Sequence, residues 1–135
     1  MKKLKRSFIF AAVLTGLIII SCEKDPGVGG TSVITGKVLV REYNANFTVL
    51  TEQYYGPDVD VYIIYGDDPV YGDKFSTSYD GTYRFEYLRE GKYTVFAYSE
   101  DSANYPTQKK IPVMREVKIT ERNQTVTVPE IVILK

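Results

Sequence analysis

The chain has 135 residues, with 17 Lys+Arg against 17 Asp+Glu, one Cys, no His and no Trp. That length suits one ordinary domain. Without His there is no Ser-His-Asp triad, Cys-His dyad or His-ligated zinc, and one Cys forms neither an internal disulfide nor a thiolate cluster. The charge is unevenly placed. Met1 to Ser21 opens with Lys2, Lys3, Lys5 and Arg6, carries no anion, and runs into the apolar stretch FIFAAVLTGLIII at 8–20. A basic start before a short apolar run is the layout of a secretory signal peptide, and the run is shorter than the about 20 residues a spanning helix needs. Removal of residues 1–21 leaves 13 Lys+Arg against 17 Asp+Glu, so the mature chain is expected to carry a net charge of −4.

The apolar run ends in Ile19-Ile20-Ser21-Cys22, which resembles the bacterial lipobox. The resemblance implies cleavage after Ser21 and a diacylglyceryl thioether on Cys22, and so a membrane as partner through the lipid anchor. An unpaired thiol is otherwise unexpected in an exported protein. Each buried acyl methylene contributes about 0.8 kcal/mol, so two or three chains hold durably. Glu23, in place of the aspartate that retains enterobacterial lipoproteins in the inner membrane, favours the outer membrane. Cys22-Glu23-Lys24-Asp25 is similar to the charged start of surface-exposed Bacteroidota lipoproteins, and the surface and periplasmic sides both stay open. Residues 22–32 read as the lipidated Cys and a flexible tether, with three Gly and one Pro in EKDPGVGGTS.

From Val33 to Lys135 the chain reads as short strands rich in Val, Ile, Thr, Tyr and Phe, with regular turn signals. In VITGKVLVREY, Ile34, Gly36, Val38 and Val40 share the inward face. After Gly56-Pro57, DVDVYIIY turns Val59, Val61, Ile63 and Tyr65 inward. Asp80-Gly81, between FSTSY and TYRFEYL, suits a two-residue type I′ hairpin, because both positions tolerate positive φ. Tyr83 and Phe85 then share a face, and beyond Glu90-Gly91 so do Tyr93, Val95 and Ala97. IPVMREVKIT and QTVTVPEIVIL close the domain, and Pro129 predicts a break or an edge in the last run. The expected fold is all-β, a seven- to eight-stranded antiparallel sandwich.

The string DGTYRF at 80–85 followed by LREGKYTV at 88–95 resembles the core motif of carboxypeptidase regulatory-like domains, relatives of the transthyretin-like and collagen-adhesin B-type modules. Ile34-Thr35-Gly36-Lys37-Val38 is similar to their first strand. The resemblance implies a Greek-key topology and says little about activity.

The loop carboxylates Asp58, Asp60, Asp67, Asp68, Asp73, Glu100 and Asp101 lack the DxDxDG spacing of a calcium loop, so no metal and no cofactor is expected. A sandwich of about 100 residues with short loops leaves little room for a carboxylate-lined cleft, so no enzyme is expected. Export and the lack of a basic patch argue against nucleic acid. Tyr62, Phe96 and Tyr98 fall on the outward parity of their strands, and their combination of apolar ring and polar tip suits protein or glycan contact. Asp101-Ser102-Ala103 is similar to the acceptor motif of Bacteroidota O-glycosylation, which makes Ser102 a candidate acceptor. The reading is therefore a lipid-anchored cell-envelope binding module, contacting an outer-membrane protein complex or a surface glycan. The alternative is a structural, stalk-like envelope protein without its own ligand.

Overall fold

The computed structural model describes residues 24–107 and 109–135. Ile19, Ile20, Ser21 and Cys22 lie outside them. The described chain is all-β in two sheets, with one short 3-10 helix at Ser102–Asn104. Its strands are β1 (Val28–Tyr43), β2 (Leu50–Tyr55), β3 (Asp60–Tyr65), β4 (Asp73–Ser76), β5 (Thr82–Leu88), β6 (Gly91–Glu100), β7 (Lys110–Ile119), β8 (Thr125–Thr127) and β9 (Ile131–Leu134).

The long β1 organises one sheet. Its first half pairs antiparallel with β5 and its second half with β2. Its opposite edge is covered first by β8, at Val33–Thr35, and then by β9, at Val38–Arg41, both parallel to β1. The wholly antiparallel expectation is corrected by these two pairings. They arise because the closing run returns alongside the opening one in the same direction. Pro129 has no backbone N–H to give a ladder, and the run divides there into β8 and β9. The other sheet, ordered β4-β3-β6-β7, is antiparallel throughout.

Residues 28–32, placed in the tether by composition, are the start of β1. The order begins before the strand itself. The Gly27 N–H donates to Tyr93 Oη (2.9 Å), and the Gly27 carbonyl accepts from the Arg89 N–H (2.8 Å). Ser32 is buried and its hydroxyl bridges the turn after β7, donating to the Glu121 carbonyl (2.9 Å) and accepting from Gln124 N–H (3.1 Å). Gly-rich composition marks freedom in the unfolded chain, and these tertiary hydrogen bonds override it.

Asp80-Gly81 does not join two paired strands: β4 lies in one sheet and β5 in the other. Of the two residues, Gly81 alone takes positive φ (77°). Its N–H donates to the Ser78 carbonyl, and Ser78 N–H donates to the Thr82 carbonyl, both at 2.9 Å. The turn therefore spans Ser78 to Gly81 and passes the chain between sheets, in place of a type I′ hairpin.

The inward alternation of β1 and β3 fills the space between the sheets with Ile34, Val38, Val40, Val61 and Ile63. On β5 the parity shifts. Tyr83 and Phe85 point inward, Tyr87 takes φ 58°, and Leu88, not Tyr87, is the next buried side chain. That extra residue coincides with the register irregularity against β1 between Val28 and Ile34, the signature of a bulge.

Candidate functional site

The outer face of the β4-β3-β6-β7 sheet gathers aromatic side chains. Tyr62 on β3 lies directly across from Phe96 on β6, and their rings stack with centroids 5.1 Å apart and planes at 16°. Tyr98, two residues on and hence on the same face, meets both rings edge-on, at 5.7 Å from Tyr62 and 5.6 Å from Phe96. The three residues chosen by parity are brought together because β3 and β6 are neighbours. Phe96 is itself buried, whereas Tyr98 is exposed.

Two members were missed. Tyr71, in the loop before β4, folds its ring edge-on to Tyr62 at 4.8 Å and is exposed. Met114 on β7 sits across from Phe96 and is also exposed. Parity along IPVMREV was sufficient to find Met114, since Val113 and Val117 pack on the core. No strand period extends to Tyr71, so the sequence carried no signal for it.

A polar edge borders the rings. Ser76 Oγ donates to Asp60 Oδ1 (2.8 Å), and Lys74 Nζ donates to Asp60 Oδ2 (3.2 Å). Lys74 is the cross-strand partner of Tyr62, and Ser76 that of Asp60, so the cluster is continuous with the aromatic face. The Ser76 hydroxyl, and after it the Lys74 ammonium, hold the Asp60 carboxyl below the ordinary carboxylate range. The hydrogen bond to Asp60 in turn raises Lys74. The face thus combines stacking surface with a fixed donor and acceptor set.

Ser102 opens the 3-10 helix at the far end of β6 and is exposed. Asp101 caps that helix, accepting from Ala103 N–H (3.1 Å) and from the Asn104 side-chain amide. The Asn104 hydrogen bond is the main cause of the lowered Asp101 carboxyl. Among the described residues no three acidic side chains converge as metal ligands. A recess of about 210 Å³ beside Gly66, Lys92 and Lys118 is smaller than the about 300–1,000 Å³ of most small-molecule sites.

No protein-family model matches the chain, and no curated relative does. Among solved structures it is similar to a Pseudomonas aeruginosa protein described as a "putative carbohydrate binding protein". The two share 15% identity and a TM-score of 0.47, over 81% of this chain and 91% of that one.

Proposed function

We propose that the chain is a non-catalytic binding module of the bacterial cell envelope, anchored to the outer membrane by lipid on Cys22, whose outer aromatic face takes a glycan. The observation that carries the reading is the continuity of Tyr62, Tyr71, Phe96 and Tyr98 with the Asp60–Lys74–Ser76 cluster. Sugar rings bind where an aromatic surface covers their C–H face and neighbouring polar groups meet their hydroxyls. Held by Ser76 and Lys74, Asp60 stays ionised at neutral pH and has lone pairs left for a ligand. The Greek-key, transthyretin-like topology belongs to the same proposal. It is supported by the way Tyr83 and Phe85 on one sheet face Tyr93 and Val95 on the other, as the DGTYRF and LREGKYTV strings imply.

The test is binding of the mature protein to an array of bacterial envelope glycans. Tyr71→Ala and Tyr98→Ala are each expected to weaken a positive interaction by about tenfold, or about 1.4 kcal/mol. Their urea midpoints should barely move, since both side chains are exposed. Glycan binding indifferent to both substitutions overturns the assignment of this face. Crosslinked recovery of an outer-membrane protein dependent on the same tyrosines would replace the glycan with a protein partner. Protease shaving of intact cells decides the side of the membrane.

A further inference from the structure

We propose that one end of the sandwich, bearing Val28 and Tyr87, seats directly on lipid headgroups. The inference rests on the lipid-anchor reading of Cys22 and goes beyond it by fixing which end of the domain meets the bilayer. Its basis is how little free chain separates that cysteine from the folded domain.

The chain is tied down from Asp25 onward. Arg89 Nη1 donates to the Asp25 carbonyl (3.1 Å), and Gly27 is bonded on both sides, to Tyr93 Oη and Arg89 N–H. The Pro26 ring lies so close over Gly91 that a Cβ there would stand 3.1 Å from Pro26 Cβ. Three peptide steps lead back from Asp25 to Cys22, at most about 11 Å of extended chain. The headgroup layer is itself about 5–8 Å thick on each side. A diacylglyceryl group on Cys22 must sit at the base of that layer, so the end of the domain can stand off the headgroups by only about 3–6 Å.

A second, independent feature lies at the same end. Val28 and Tyr87 are among the most exposed large apolar side chains, at 54% and 68%. Val28 is the register partner of Leu88, the neighbour of Tyr87. The left-handed backbone at Tyr87 (φ 58°) turns a residue that simple alternation would bury out into solvent. Tyrosine is enriched at membrane interfaces, where its ring meets the acyl boundary and its hydroxyl stays with the headgroups. Arg89, which bonds the Asp25 carbonyl, and Glu90 follow it closely in the chain, a mixed pair that suits zwitterionic headgroups.

The natural chain has no Trp, so a single introduced Trp reports its own surroundings. The full-length precursor, processed in cells and reconstituted in phosphatidylcholine–phosphatidylglycerol vesicles, is compared as Tyr87→Trp, Val28→Trp and Tyr79→Trp. Tyr79 is 90% exposed and lies in the turn at the other end of β5. The first two variants are expected to show blue-shifted emission that brominated phosphatidylcholine quenches, and Tyr79→Trp to show neither. Intact mass establishes the lipid on Cys22 separately. Lipid present, with all three variants emitting alike and unquenched, overturns the seated end alone. No acyl mass on Cys22 overturns the anchor and this inference with it.

Discussion

Tyr93 and Tyr83 show how two buried tyrosines one strand apart can have opposite requirements. Tyr93 Oη donates to the Arg89 carbonyl (2.7 Å) and accepts from the Gly27 N–H (2.9 Å). Tyr83 Oη is buried with no hydrogen-bond partner among the described residues, and burial raises its pKa. A buried polar group left unpaired costs about 1–3 kcal/mol. Tyr93→Phe, which orphans the Gly27 N–H, is therefore expected to lower stability by about that amount. Tyr83→Phe, which removes an orphan, should leave stability unchanged or raise it. Urea midpoints of the two variants check the difference in sign. Gly81 is the other residue whose identity is dictated. At φ 77° a Cβ would stand 2.9 Å from both Tyr55 Cβ and the Val38 carbonyl oxygen. Gly81→Val is expected to cost more than about 1 kcal/mol, through positive φ on a β-branched residue and steric overlap. An unchanged urea midpoint would refute it.

At the scale of elements, the inward faces of β1, β3 and β6 were legible because a period of two is a strictly local signal. The inward set Ile34, Gly36, Val38 and Val40 was fixed by chain geometry alone, as was the break at Pro129. What was not legible was decided by partners far along the chain. The parallel return of β8 and β9 beside β1 leaves no mark within either run. The Asp80-Gly81 pair specifies a turn but not whether the flanking strands pair or part. The ordered segment before Val33 was hidden for the same reason, since its hydrogen bonds reach Arg89, Tyr93, Glu121 and Gln124. A domain begun at Val33 should thus be less stable than one begun at Lys24. At least these four tertiary hydrogen bonds are lost, at about 0.5–1.5 kcal/mol each, for an expected total of about 2–6 kcal/mol. Equal urea midpoints for the two chains would contradict the anchored start.

For the whole molecule, the site was half visible: parity chose Tyr62, Phe96 and Tyr98, but only the folded loop adds Tyr71, and only strand order makes the four rings one face. With no His in the chain, no side chain of ordinary pKa titrates near neutrality, so stability should be level between about pH 5 and pH 8. Below that range three carboxyls act together. Asp60 is lowered first by Ser76, Asp80 first by Thr82, and Asp101 first by Asn104. A carboxyl lowered in the folded state stabilises it above the unfolded value of about 3.9, and that contribution disappears as pH falls through the folded value. The urea midpoint is therefore expected to hold steady down to about pH 5 and to drop toward pH 3. In the triple variant Asp60→Asn, Asp80→Asn, Asp101→Asn the drop should be smaller, because the native state no longer excludes those protons. A triple variant with the same acid limb as the natural chain would show that these three carboxyls do not set it.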